Sequence, residues 1–147
     1  VNMTLTPIDY KTYIDVPPQR VFEILTTAAG WDAWFTRGTT LDARVGGNIL
    51  LQWDSWGPDR IKTQDGGTVL ELIADRRFVF TWQPDKQPTT VCFELQPLGT
   101  GTVVHLTDSG YTTPAIYMNC AAGWGEALTL LKVYLEYGVT YGEVPKE

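Results

Sequence analysis

The chain has 147 residues, with 17 Asp and Glu against 11 Lys and Arg, a formal charge of −6, and 44% apolar against 19% charged residues. That length suits one domain spanning 1–147, able to bury roughly 68–70% of its unfolded surface, and the apolar fraction excludes a disordered chain. The acidic balance excludes nucleic acid as the expected partner, because phosphate binding needs a cationic face.

No run approaches the roughly 18 apolar residues of a membrane span. Val1-Asn2-Met3-Thr4 lacks a cationic segment leading into an apolar one, so no signal peptide is read there. Cys92 and Cys120 match no zinc or redox spacing and read as reduced thiols, which makes a cytoplasmic setting the expectation. His105 is the single imidazole, too few for common catalytic zinc, and neither metal nor cofactor is expected. Gly46-Gly47 and Gly66-Gly67 lack the Lys and following helix of a phosphate loop and read as hairpin turns.

In chain order, Thr6–Val16 alternates, with Ile8, Tyr10, Thr12, Ile14 and Val16 on one side, and predicts a half-buried strand. Pro17-Pro18 ends it and opens a short helix over Gln19–Thr26 with Val21, Phe22 and Leu25 inward. Thr27–Gly30 breaks that helix, and Trp31–Phe35 reads as a second short helix or turn. Strands are then predicted at Leu41–Val45, Asn48–Trp53, Thr68–Ala74, Arg77–Trp82, Thr90–Gln96 and Thr102–Asp108. Asp54–Gln64 reads as a loop or frayed strand end, and breaks fall at Asp65–Gly67, Pro84–Pro88 and Pro97–Gly101. Leu70 and Leu72 are expected opposite Glu71. From Thr113 to Tyr137 the period is helical, Gly138 is the terminator, and Tyr141–Glu147 reads as a frayed tail. The small residues Ala121-Ala122-Gly123 and Gly125 suggest a close approach to a neighbour. Segregated strands and a long final helix imply an α+β domain: a curved antiparallel sheet of six to seven strands whose concave face the last helix covers.

This order resembles the helix-grip superfamily of START domains, the birch-pollen allergen and polyketide cyclases. More closely it is similar to the bacterial branch named after the C-terminal domain of the Hsp90 ATPase activator. The residues carrying the resemblance run from Val16-Pro17, Val21-Phe22 and Trp34-Phe35 through Gly67–Leu72, Phe78–Trp82 and Gly101–Leu106 to Ser109-Gly110-Tyr111 and Gly123-Trp124. The resemblance implies a cavity between long helix and sheet for an apolar ligand, a lipid included, or for a reactive substrate. It implies no catalytic set. An Hsp90-type chaperone partner is implied only through the family's name.

On inward parity, Trp53, Phe78, Phe80, Trp82 and Phe93 share the concave face with Tyr10, while Tyr117 and Trp124 approach from the helix. They form either a large-residue core or the wall of a ligand cavity. Asp108 follows Val104 and Leu106, so it is either an inward carboxylate with a raised pKa or the cap of the Asp108-Ser109-Gly110 turn. His105 faces outward, and Arg37 and Asp42 either guide a polar group at the cavity mouth or are solvated charges. Three functions follow: an apolar (aromatic or acyl) ligand bound near Trp53, Phe80, Trp82, Phe93, Asp108, Tyr117 and Trp124; a cyclase- or hydrolase-type enzyme drawing on Asp108 and Tyr117; or an interaction module, chaperone-linked or homodimeric, with an exposed patch at Trp31–Phe35 or Trp56-Gly57-Pro58.

Overall fold

A computed structural model describes residues 4–141. Strand β1 (Ile8–Ile14) leads to α1 (Pro18–Leu25) and α2 (Ala28–Trp34). Six strands follow: β2 (Thr40–Leu41), β3 (Asn48–Trp56), β4 (Ile61–Ile73), β5 (Arg77–Trp82), β6 (Thr89–Leu98) and β7 (Gly101–Ser109). Helix α3 (Pro114–Tyr137) closes the fold, and Gly138 ends it in the left-handed conformation at φ 72°. The seven strands form one antiparallel sheet in the order β1-β7-β6-β5-β4-β3-β2. This is the expected α+β architecture, with the two short helices and α3 packed on the concave face.

The short helices form for local reasons. Pro18 at the first helical position of α1 has its φ preset and no N–H to satisfy. Thr27 starts α2, its Oγ1 accepting from the Gly30 N–H at 3.1 Å, so Ala28–Gly30 belong to the helix instead of breaking it. The Trp31 indole donates to the Leu25 carbonyl at 2.7 Å and ties the two helices together. Trp31, Trp34 and Phe35 are all buried, which removes Trp31–Phe35 as an exposed patch.

Four strand readings need correction, two of them for a stated backbone cause. Gly66-Gly67 is not a turn but lies inside β4, where the chain leaves β3 for β5. A Cβ on Gly66 would stand 2.1 Å from the Ile49 carbonyl oxygen, and one on Gly67 would stand 2.2 Å from that of Thr81. The pair is glycine because backbone crowds it from both sides. The Asp54–Gln64 segment is largely strand: β3 runs on to Trp56 and β4 begins at Ile61. A bulge between Val69 and Glu71 leaves Leu70 unpaired, 46% exposed, so Val69 and Leu72 face inward. The predicted Leu41–Val45 strand contracts to the two residues of β2.

At the sheet's β1 edge, the backbone is occupied by α3. Lys132 Nζ donates to the Tyr13 carbonyl, and Glu136 accepts from the Asp15 N–H at 2.9 Å and pairs with Lys132 at 2.8 Å. Of the small residues of α3, Ala121 packs against the core, whereas Gly123 and Gly125 serve no close approach, since a Cβ on either meets open space. Tyr141 is held by its N–H on the Ala33 carbonyl at 2.9 Å; the rest of the expected tail, with Glu143, Lys146 and Glu147, and residues 1–3 lie outside the described residues.

Candidate functional site

The concave face is filled mostly by aromatic rings. Trp31 meets Phe80 and Phe93 edge-on at 6.0 and 6.2 Å, Phe93 meets Trp124 at 5.9 Å, and Trp82 lies 5.2 Å from Trp124. Phe80 and Phe93 are fully buried in this stack, the arrangement that aromatic quadrupoles favour. Along much of the sheet, then, large buried rings pack against one another between helix and strands.

At the centre of the stack sits Asp108, 0% exposed. Strand β7 continues to Ser109, so the carboxylate belongs to the strand's inward face and not to a turn. Its Oδ2 accepts from the Trp82 indole at 3.3 Å, the Trp124 indole at 3.0 Å and the Tyr111 hydroxyl at 2.5 Å. Its Oδ1 has no partner, and the Thr89 hydroxyl lies close enough to influence it without meeting hydrogen-bond geometry. Burial pushes the carboxyl above the ordinary aspartate range, and the hydrogen bonds of Tyr111, Trp124 and Trp82 only partly oppose it. Burial and the neighbouring carboxylate hold the Tyr111 phenol far above its usual range, and burial raises the Cys120 thiol. Both cysteines are free.

The space that remains lies at one end, between the N-terminal half of α3 and β3–β5. This cleft has a volume of about 250 Å³. Phe35, Trp53, Trp56, Trp82 and Trp124 form its apolar wall; Gln64, Asp65, Asp85 and Asn119 add polar groups, and Cys120 and Gly123 complete the helix side. A second bulge makes this wall: β3 spends three steps from Trp53 to Trp56 while β4 spends two from Thr63 to Ile61. The extra residue brings Trp56 to the same side as Trp53, and both pack edge-on to Phe35 at 5.2 and 5.4 Å. Beyond these three rings lies a lobe of about 200 Å³, lined also by Arg37, Asp54, Arg60 and Tyr141. Asp32 anchors the loop leading there, accepting from Thr36 Oγ1 at 2.7 Å and from the N–H groups of Gly38 and Thr39 at 3.0 Å.

Asp65 lines the cleft with its Oδ1 fixed by the N–H groups of Gly66 at 2.7 Å and Gln83 at 2.8 Å. Burial raises its pKa against those two bonds, and the nearby Asp108 charge adds to the rise. Trp53, 7% exposed, has an indole N–H without a hydrogen-bond partner.

Of the seven residues expected at the site, Trp53, Trp82 and Trp124 line the cleft, while Phe80, Phe93 and Asp108 stand behind it. Tyr117 packs on Tyr111 at 5.7 Å and is not among the lining residues. Tyr10 is 40% exposed at the sheet edge, outside the core. The reading missed Phe35, Trp56, Asp65, Tyr111 and Cys120. Only the Trp53/Trp56 proximity had a sequence signal, the aromatic repeat around a polar Asp54-Ser55. Arg37 lines the second lobe, whereas Asp42 pairs with Arg44 at 2.8 Å on the surface. A broader depression of about 1140 Å³ lies on the sheet's outer face. In it Arg77 pairs with Glu71 and Glu94, and the half-buried His105 hydrogen-bonds Asp9 at 2.8 Å, whereas the inner cleft alone is walled by a cluster of aromatic rings.

A curved seven-stranded sheet gripped by a long C-terminal helix, with two short helices after β1, is the helix-grip fold, and solved structures share it. Protein CV1439 from Chromobacterium violaceum is 25% identical with a TM-score of 0.77, over 90% of this chain and 99% of that one. The Aha1 dimer from Colwellia psychrerythraea is 24% identical with a TM-score of 0.75, over 91% and 98%. DynU16, a protein of the dynemicin biosynthetic locus, is 18% identical with a TM-score of 0.79, over 92% of this chain and 50% of its own. No curated protein matches. The family described as Activator of Hsp90 ATPase homolog 1-like protein matches residues 15–136, and the chain belongs to that family. Among the described residues no helix is long and apolar enough to cross a membrane.

Proposed function

We propose that the protein binds an apolar small molecule, aromatic or acyl, in the cleft between α3 and β3–β5. The observation that carries this reading is a wall of five aromatic side chains, drawn from four segments of the chain, around about 250 Å³ that no side chain fills. Burial against such a wall drives affinity at roughly 25 cal/mol per Å². The volume falls below the roughly 300–1,000 Å³ of drug-sized sites, which points to a ligand of one or two rings. Asp108 serves as a positioning residue, holding the indoles of Trp82 and Trp124 by their N–H groups so that the wall is preformed. Binding is favoured over turnover because Asp108 and Tyr117 do not line the cleft.

Native mass spectrometry before and after denaturation tests this, paired with the Gly123→Leu variant. Space above Gly123 is open, so the leucine enters the cleft without straining the helix. A non-covalent mass, or binding of the neutral fluorophore 2-naphthol, present in the parent and absent in Gly123→Leu supports the reading. A folded parent that takes no probe, or a variant that binds equally, overturns it.

A further inference from the structure

The cleft has a one-sided charge. Asp65 and Asp85 line it, and no Lys, Arg or His does. Asp65 is held in place by two backbone N–H groups, so its carboxylate is a fixed charge at the wall and not a side chain free to swing into solvent. Facing it are the indoles of Trp53, Trp56, Trp82 and Trp124, the aromatic system that attracts cations most strongly. Arg37 and Arg60 line the neighbouring lobe beyond the Phe35–Trp53–Trp56 wall, together with Asp54, and Lys62 and Lys86, next in sequence to the lining residues Thr63 and Asp85, do not themselves line the cleft. A cleft with indole walls and only acidic charges in its lining disfavours an anionic guest and lowers the energy of a diffuse positive one. An inorganic cation fits poorly, because hard ions need six or more oxygen ligands and the described residues hold no group of three or more metal-ligating side chains.

We propose that the ligand of this cleft is an organic cation: a planar aromatic body that carries, or is itself, a protonated or quaternary nitrogen. The inference rests on the cleft being a ligand site and adds the charge of its occupant. The rings supply the apolar contact, and Asp65 with Asp85 selects the sign.

Isothermal titration calorimetry with three probes of one shape tests it: N-methylquinolinium, quinoline (neutral at pH 7.5) and naphthalene-2-carboxylate. N-methylquinolinium is expected to bind on the order of tenfold more tightly than quinoline, with naphthalene-2-carboxylate weakest, and the margin should shrink with added salt. Asp65→Asn keeps a carbonyl for the Gly66 and Gln83 N–H groups, and it should narrow the margin between N-methylquinolinium and quinoline severalfold. Asp85→Asn, on an exposed turn, is the second variant should the first fail to fold, and it should narrow the same margin. Equal binding of N-methylquinolinium and quinoline, or tighter binding of naphthalene-2-carboxylate, overturns the cation assignment and leaves the cleft reading standing. Failure of all three probes overturns both.

Discussion

Replacing Asp108 tests whether the aromatic core is organised by one buried carboxylate. Asp108→Ala strands three donors, the Trp82 and Trp124 indoles and the Tyr111 hydroxyl, in a region where the residue itself is 0% exposed. Each unsatisfied buried donor costs about 1–3 kcal/mol, and removing the charge relieves its own desolvation, so the net loss is ~3–5 kcal/mol. That is a large share of the ~5–15 kcal/mol by which domains are stable. It moves a urea midpoint, read by tryptophan fluorescence, down by about 2 M. Asp108→Asn keeps an accepting oxygen for the three donors and places an amide N–H near the unpartnered Thr89 hydroxyl; it should remain within about 1 kcal/mol of the parent at neutral pH. The two also separate with pH. Burial raises the folded-state pKa of Asp108 above its unfolded value of 3.8, so the folded chain holds this proton more tightly than the unfolded chain does. The stability this group contributes is fully present below pH 3.8 and is lost as pH rises through the folded-state pKa. The asparagine variant should therefore gain on the parent as pH rises from acid to neutral. An alanine variant that unfolds at the parent's midpoint, or an asparagine variant whose difference from the parent is flat with pH, would refute the reasoning.

Other predictions come from the backbone and the sheet edge. Gly66→Ala forces a methyl to within 2.1 Å of the Ile49 carbonyl oxygen, parts β3 from β4 and should lower stability by about 3 kcal/mol, measured by thermal melting; a change under ~0.5 kcal/mol would mean the strands yield freely. Glu136→Ala frees the Asp15 N–H and releases Lys132 from its pairing, exposing edge backbone of β1. It should increase concentration-dependent self-association on size-exclusion chromatography, and an unchanged elution profile would show that the edge is guarded elsewhere. Because burial raises the Asp65 pKa and Asp108 adds to the rise, affinity for N-methylquinolinium should decline on acidification beginning above 3.8, with quinoline protonation avoided by following the permanently charged probe alone. Affinity constant from pH 7 to 4 would exclude Asp65 as the selecting charge.

Much of the architecture was legible because alternation and helical period report directly on which side of an element faces apolar surroundings. β5 and the start and end of α3 fell within a residue of expectation for this reason. Alternation fails where the ladder does. The bulges at Ser55 and Leu70 shift parity by one residue, and neither carries a glycine that would have announced it. Ser55 instead adopts a positive φ of 60°, a strain visible only in the fold. Gly66-Gly67 misled in the opposite direction, since the same lack of a side chain that permits a turn also permits strands to be pressed together. Asp65 was hidden by the same misreading, taken as turn punctuation when it is a wall residue. Trp53, Trp82 and Trp124 were correctly placed inward, but parity cannot tell a ring that meets another ring from one that meets empty space. Phe80 and Phe93 have the same pattern and lie in the packed part.

The burial along α3 is uneven in a way that bears on what the cleft will admit. From Pro114 to Gly123 no side chain is fully buried, and Met118 is 68% exposed; the anchored face, Trp124, Ala127, Leu128 and Leu131, begins directly afterward. The helix is thus anchored most firmly along its second half, while its first half is an arm that rests on the core through the partly buried Ile116, Tyr117, Cys120 and Ala121. Asn119, Cys120 and Gly123, which roof the cleft, belong to this arm, and Gly123 and Gly125 place the most pliable backbone at its root. Lifting that arm uncovers only partly buried contacts, whereas moving any strand on the opposite side breaks a ladder. On the proposed reading, a guest too long for the resting volume is expected to displace this roof before any strand, which makes the tolerance for size depend on ten residues of helix rather than on the sheet.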